Sequence, residues 1–376
     1  MNTEHTILHV DMNNFYASVE CLMNPSLKNF AVAVTGNPEK RTGIVLAKNY
    51  LAKVYGIKTG DVIWEAKQKC PTLVCVSPHF ELYEDFSKRA HKIYSQYTDI
   101  IEPFGIDECW LDVTASLKFF NCTAEELAKR IQTQVKDELG LSVSIGVSFG
   151  KTLAKLGSDM KKPMGLTIID HKNHLEILKK TPIENMIMIG KHTAQKLRNM
   201  NIVTLLDLYN QTTEFLCEHF GVVGEYLHNA VAGINDDILI TPQDEDTKSV
   251  GNGATAVKDM RTLEEIKNFL CDLSAKVSSR LRAHKFRAKT LHVGIKFADF
   301  SYVSAQHSYS YAFSNEQDIF ALSYELFLEL VGKTFNPIRA IRICTSGLEI
   351  GDSEQINLLD KKNWNEFHPS LWNFLS

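Results

Sequence analysis

Three carboxylates stand where a chain could use them together. Asp11 closes the short apolar run Ile7-Leu8-His9-Val10, and Asp107 and Glu108 sit side by side at a turn much further along. Taken singly, each has an ordinary explanation. An Asp-Glu pair at a turn is surface charge, and an Asp after a strand caps the helix that follows. Gathered together, they repel one another and raise each other's pKa unless a cation lies among them. A pair of Mg²⁺ ions removes that repulsion. Two such ions activate an attacking hydroxyl and stabilise the leaving oxygen of a phosphate displacement.

Whether the acids meet depends on the elements that carry them. Residues 7–10 read as a strand feeding a helix over 14–20. Residues 30–34 and 43–47 read as short strands, and Tyr50–Tyr55 as a helix that stops at Gly56. Tyr83, Phe86, Ala90, Ile93 and Tyr97 recur at helical spacing, which predicts an amphipathic helix over 80–99. Residues 100–104 and 109–113 flank Gly105 as a hairpin. Thr123 and Glu126 form a capping box for a helix with Leu127, Ile131, Val135 and Leu139 on one stripe. Residues 141–149 alternate as a strand. Strand–helix–hairpin–helix–strand is the βαββαβ order of a ferredoxin-like α+β layer, with residues 20–77 inserted after the first strand. In such a layer the first and third strands are central neighbours, which sets Asp11 beside Asp107 and Glu108.

Further along, 166–232 reads as a small helical unit with a tight turn at Ile189-Gly190-Lys191. Residues 235–246 are polar and acidic, the best linker. A second α/β unit follows, with helices near 263–285 and 316–331 and strands at 290–297, 308–313 and 338–348. The first of these helices turns Leu263, Ile266, Phe269, Leu270, Leu273, Val277 and Leu281 inward. Residues 351–376 form a short, polar, loose tail.

Composition bounds the function. The chain has 376 residues, 44% hydrophobic and 23% charged, as in an ordinary globular protein of about two to four domains. Wholesale disorder is excluded. The net charge of -4 argues against a nucleic-acid partner. Yet Leu273 to Ala298 holds Lys276, Arg280, Arg282, Lys285, Arg287, Lys289 and Lys296 with no acid, a footprint suited to a duplex backbone. A merely solvated helix face would intersperse Glu. No apolar run reaches the length of a membrane span. The N-terminus lacks a basic stretch followed by an apolar core, so a cytoplasmic location is expected. Eight scattered cysteines with no CxxC pair read as buried, reduced thiols.

Three stretches resemble the Y-family DNA polymerases, the lesion-bypass enzymes, and most closely their DinB or polymerase IV branch. They are Leu8–Glu20, the hairpin Phe104–Thr114, and Val143–Ser148 continued through Lys155 to Asp159-Met160-Lys161-Lys162-Pro163. The resemblance implies a right-hand polymerase: a palm (1–19 and 78–165), small fingers (20–77), a helix-hairpin-helix thumb (166–234), a linker (235–246), an α/β little finger (247–350) and a tail (351–376). It implies low-fidelity, distributive, template-directed synthesis by two-metal nucleotidyl transfer.

It also implies roles. Asp11, Asp107, Glu108 and the Met12 carbonyl match metal ligands for two Mg²⁺ ions, with Mn²⁺ as a substitute. Asn14, Phe15, Tyr16, Tyr50, Lys53 and Lys162 match nucleotide-binding positions, with Tyr16 as the steric gate against a ribose 2′-OH. Gly190, Lys191, Lys276, Arg280, Arg282, Lys285, Arg287 and Lys289 match DNA-binding positions. Gln355, Leu358 and Leu359 match a sliding-clamp motif. The implied partners are primer–template DNA, deoxynucleoside triphosphates and the clamp, with no membrane and a monomeric state. The chain departs from the family pattern at Lys53 (usually Arg), Asn13 (often Asp), Gly105 (usually Ser), and Met188 and Asn201 (usually Gly). Two rivals are a nucleotide cyclase on the same palm and a catalytically idle, clamp-recruited DNA-binding scaffold.

Overall fold

The computed structural model describes residues 5–37, 43–234, 236, 238–241, 247–332 and 334–351. These fall into two units, divided near residue 245.

The first unit opens with β1 (Ile7–Met12) and α1 (Phe15–Met23). Asn14 turns the chain between them at φ 51°, a left-handed conformation that asparagine tolerates better than most residues. Then come β2 (Val32–Thr35), β3 (Val45–Lys48), α2 (Tyr50–Val54), α3 (Ile63–Lys69) and β4 (Val74–Val76). Their three-stranded sheet, ordered β3-β2-β4, has its own core of Ala33, Val45, Ala52, Ile57, Ala66 and Leu73.

The chain continues through α4 (Phe80–Tyr94), β5 (Ile101–Pro103), β6 (Glu108–Asp112), α5 (Thr114–Phe119), α6 (Ala124–Leu139), β7 (Val143–Ser148), α7 (Lys151–Met160) and β8 (Leu166–Ile169). The strands form one sheet ordered β5-β6-β1-β7-β8, the ferredoxin-like order with one strand added. That added strand corrects the sequence reading: residues 166–169 pair parallel with β7 instead of opening the helical unit. Helix α4 also ends at Tyr94, short of the expected 99. The Thr123–Glu126 capping box of α6 is present.

Helices α4 and α6 cover one face of this sheet through Tyr83, Phe86, Leu127, Ile131 and Val135. Helix α7 covers the other. It can do so because β7 carries Gly146: a Cβ there would lie 1.8 Å from the Ala154 carbonyl oxygen. Gly157 meets the same spot from the helix side, where a Cβ would lie 3.2 Å from the Gly146 Cα.

Helix α7 has Gly150 as its N-cap and so no capping side chain of its own. Asp236 supplies the cap from far along the chain, accepting a bond from the Thr152 N–H at 2.7 Å, while its carbonyl takes the Lys151 N–H at 2.8 Å. Leu239 is buried against Ile7, Trp110 and Ala154, and the Ile240 N–H bonds Glu102. The described linker residues are therefore strapped to the sheet. Asp236→Ala is expected to destabilise this unit by about 1 kcal/mol, read as a lower urea midpoint.

Helices α8 (His174–Lys180), α9 (Lys191–Asn199), α10 (Leu205–Tyr209), α11 (Thr213–Phe220) and α12 (Val222–Ala232) complete the unit around Leu178, Ile183, Leu197, Leu205, Leu216 and Leu227.

The second unit runs β9 (Ser249–Met260), α13 (Leu263–Ala283), β10 (Phe286–Phe297), β11 (Tyr302–Phe313), α14 (Glu316–Val331) and β12 (Ile338–Ile350). Its sheet is ordered β11-β10-β12-β9. Strand β9 was not read from the sequence. Leu291, Val293, Ile295, Ile341 and Ile343 form the core with Ile266, Leu270, Leu273, Val277 and Leu281 of α13 and with α14. All eight cysteines are free thiols, but only Cys70 and Cys109 are buried and Cys271 is exposed, which corrects the expectation of uniform burial. No helix among the described residues is long and apolar enough to cross a membrane.

Candidate active site

Strand alternation decides which side chains meet. In β1, Leu8, Val10 and Met12 enter the main core, so His9 and Asp11 face α7. In β6, Cys109 and Leu111 enter the same core, so Glu108 and Trp110 face α7. The antiparallel register sets His9 opposite Trp110 and Asp11 opposite Glu108. The Met12 N–H bonds the Asp107 carbonyl at 3.0 Å, which draws the hairpin turn onto the end of β1. Gly105 supports that turn at φ 83°, a conformation a serine would resist. A hydrogen bond from α4 also braces the turn, the Ser87 hydroxyl donating to the Ile106 carbonyl at 2.6 Å.

A cavity of about 360 Å³ opens here, lined by Asp11, Met12, Asn14, Phe15, Tyr16, Asp107, Glu108 and Lys162. Leu46, Ala47, Lys48 and Thr59 form its other wall. Lys48 and Thr59 escaped the sequence reading. Their signal was slight: Lys48 directly precedes the Asn49 cap of α2, and its ammonium donates to the Thr59 hydroxyl at 3.0 Å. Tyr50 and Lys53 do not line the cavity but adjoin it. Lys53 lies 5.7 Å over the Tyr50 ring and its charge lowers the pKa of Lys48, whose burial is the larger cause. Burial raises the Tyr50 phenol pKa while the Lys162 charge opposes it.

The three acids share the cavity without converging. Among the described residues no three metal-ligating side chains are close enough to hold an ion as placed. Two of them are paired with lysines: Lys162 Nζ lies 2.6 Å from Asp11, and Lys155 Nζ 2.5 Å from Glu108. Burial, and the charge of Glu108, push Asp11 up to about 7 even against Lys162. Asp107 is also raised, by burial and then by Glu108. Burial acts to raise Glu108 too, but the neighbouring His9 ring and Lys155 prevail and hold it at about 2. His9 Nε2 stands 3.2 Å from Glu108, close enough to favour its charged form. The donor set fits a hard divalent cation: every candidate ligand is an oxygen, and Asp11 and Asp107 are buried acids whose charged forms, disfavoured by burial and by the charge of Glu108, a cation would stabilise.

Tyr16 is fixed on the cavity wall. Its ring stacks on Tyr83 at 4.2 Å and 12°, with Phe80 edge-on at 6.0 Å. The Tyr83 hydroxyl bonds the buried Glu20 carboxylate, which also takes His79 Nδ1 at 2.9 Å. Burial raises the Tyr16 pKa and the charge of Asp107 adds to the rise.

The tight turn before α9 has Gly190 at the helix N-cap with no side-chain bond, leaving first-turn N–H groups available beside the exposed Lys191. Met188 and Asn201 hold φ 70° and 63°, glycine-like conformations at two positions where glycine is absent. Met188→Gly is expected to stabilise this hairpin by about 0.5–1 kcal/mol, seen as a higher midpoint on heating.

In the second unit the single basic strip read from the sequence divides. Helix α13 packs on the core face of the sheet, so the exposed Lys276 and Arg282 point away from it. Arg280 donates to the Gly251 carbonyl at 2.8 Å, and Arg287 bonds the Ala312 carbonyl. Lys289 is paired with Glu349 of β12, so the acid missing locally arrives from the neighbouring strand. Lys285 sits exposed at φ 54° after α13. Lys296 instead lies on the opposite, open face, where Thr290, His292 and Gly294 meet Ser308, Gln306 and Ser304. Arg342, which pairs across from Gly294, was missed there; the Ile-Arg-Ile alternation at 341–343 was its signal. Gln355, Leu358 and Leu359 lie outside the described residues.

Family comparison matches residues 10–159 to the impB/mucB/samB family and 247–358 to that family's C-terminal domain. The chain is 41% identical to DNA polymerase IV of Acetivibrio thermocellus, over 94% of this chain and 89% of that protein. It is 36% identical to DNA polymerase IV 1 of Bacillus subtilis, over 96% and 86%. Among solved structures it is similar to a Y-family DNA polymerase, a Dbh–Dpo4 chimera, with a TM-score of 0.81, 24% identity, and coverage of 92% of this chain and 100% of the other.

Proposed function

The chain belongs to the impB/mucB/samB family and is a Y-family, DNA-directed DNA polymerase of the lesion-bypass kind; from that premise we propose that it extends a primer 3′-hydroxyl by metal-dependent nucleotidyl transfer at the Asp11 cavity. The register of Asp11 against Glu108, with Asp107 on the same cavity wall, is the observation that supports this most. The primer oxygen attacks the α-phosphorus of a deoxynucleoside triphosphate, a new P–O bond forms, and pyrophosphate leaves. Two divalent cations, Mg²⁺ by preference, would be held by Asp11, Asp107, Glu108 and the Met12 carbonyl, and would supply activation of the hydroxyl and neutralisation of phosphate charge.

The chain's own residues do the rest. Lys162, Tyr50 and Lys53 bind the triphosphate with Lys48 beside them, since cations and hydroxyls suit charge spread over phosphate oxygens. Lys53 contributes charge without the bidentate fork of an arginine. Asn14 and Phe15 form the floor under the nucleotide, and Tyr16 closes the sugar pocket. Under this reading residues 1–19 and 78–169 form the palm, with β8 included, 20–77 the fingers, 170–234 the thumb, 235–246 the linker and 247–350 the little finger. Gly190 and Lys191 hold a backbone phosphate, and in the second unit the open face with Lys296 and Arg342 is the DNA-contacting side; Lys276, Arg282 and Lys285 on the helix side add only long-range attraction, and Arg280, Arg287 and Lys289 are engaged by protein partners.

The reading carries with it a low-fidelity, distributive, cytoplasmic monomer recruited by a sliding clamp through Gln355, Leu358 and Leu359. Deleting 355–360 is expected to abolish clamp pull-down while leaving distributive synthesis intact; unaltered pull-down removes that claim. A primer-extension assay with and without template tests the main reading. A cyclase would consume nucleotide without template, and an idle scaffold would extend nothing.

A further inference from the structure

Along one edge of the cavity, charged side chains alternate in sign: Asp11, Lys162, Asp159, Lys155, Glu108. The successive separations are 2.6, 2.9, 3.5 and 2.5 Å. Asp159 lies at the centre and is not a cavity-lining residue. It stands one turn after Lys155 on α7 and offers a different oxygen to each lysine, Oδ1 to Lys162 and Oδ2 to Lys155. Its side chain is 44% exposed, against 7% for Asp11 and 20% for Glu108.

The two lysines occupy carboxylate oxygens that a divalent cation would need. An ammonium and a divalent cation at one carboxylate oxygen repel each other, so the lysines must give up Asp11 and Glu108 when cations enter. Neither lysine can be left without an acceptor, because both are largely shielded from water, at 15% and 24% exposure. The ring of Phe104 lies 5.7 Å from Lys155 Nζ and limits retreat on that side.

We propose that cation entry is an exchange of partners, in which Lys162 and Lys155 latch Asp11 and Glu108 in the cation-free enzyme and Asp159 is the positioning residue that receives both lysines when the carboxylates turn to the ions. The exchange rests on the polymerase reading of the site. It deepens that reading, since Asp159 then sets how readily the site accepts cations without touching one.

The test is Mn²⁺ binding to the full chain without DNA or nucleotide, with free Mn²⁺ followed by electron paramagnetic resonance. Asp159→Asn is expected to bind about fivefold more weakly than the parent, because the lysines lose their alternative acceptor. Asp159→Glu should restore most of the affinity, which separates the effect from misfolding. In a Lys155→Met/Lys162→Met background the Asp159→Asn change should shift affinity by less than about twofold. An equal loss in both backgrounds would mean that Asp159 acts only as a distant charge, and overturns the exchange, as does parental affinity in Asp159→Asn alone. Asp11→Ala tests the underlying reading separately. Mn²⁺ binding that survives it removes the site and the exchange together, whereas loss with Asp11→Ala but no Asp159 effect overturns only the exchange.

Discussion

Replacing Asp107 and Glu108 together by alanine is expected to reduce template-directed primer extension by about 10⁴-fold. Two divalent cations contribute several kcal/mol to a phosphoryl displacement, and that many kcal/mol corresponds to a factor of this order. Asp11 alone would be left as a carboxylate on this part of the cavity. The variant should still fold, because neither side chain belongs to the apolar core. The change also removes the charge of Glu108 that helps push Asp11 upward, so Asp11 should ionise more readily. Lys155 keeps a partner in Asp159. Single-nucleotide extension at saturating Mg²⁺, alongside a thermal melt, separates lost chemistry from lost structure. Undiminished synthesis would sink the assignment.

Tyr16→Ala is expected to raise ribonucleotide use relative to deoxynucleotide use by about 10²-fold. Steric exclusion of one small group from a pocket is worth roughly 1–3 kcal/mol, which spans this factor. Exclusion of that size needs a ring that cannot step aside. Tyr16 is backed by a near-parallel stack on Tyr83, Tyr83 is tied through its hydroxyl to buried Glu20, and Phe80 closes the flank. Alanine removes the obstacle and leaves that backing in place. The measurement is the ratio of kcat/KM for ribo- and deoxynucleotides; a ratio equal to the parent's refutes the gate. Deoxynucleotide use should fall modestly, since the sugar loses a wall against which it is positioned.

The central sheet was legible because its signals are local. The alternation of Val143, Ile145 and Val147, the Thr123–Glu126 cap and the apolar run before Asp11 each declare one element, and the βαββαβ order then makes β1 and β6 neighbours. Strand β8 was hidden because four residues after a glycine carry too little pattern to outweigh the helices that follow. Strand β9 was hidden by its content: Gly251, Asn252 and Gly253 are poor strand formers, and its order comes from pairing with β12 much later in the chain. The acids of the site were visible, but their resting partners were not. Nothing near Glu108 in sequence announces Lys155, which reaches it only because α7 crosses beneath β1 and β7. The basic run misled in the same way, since Lys289 finds Glu349 across a strand pair that local sequence does not contain.

The crossing of α7 over β7 gives the cavity a further property. Helix and strand approach until the place of a Gly146 Cβ is already filled by the Ala154 carbonyl. A methyl group there would act as a wedge, lifting the helix and carrying Lys155 and Asp159 with it, since both ride on the same rigid rod. The charge spacing beside Asp11 and Glu108 is thus gauged by two positions that have no side chain at all. Gly146 and Gly157 govern the chemistry by what they lack, though neither carries a functional group.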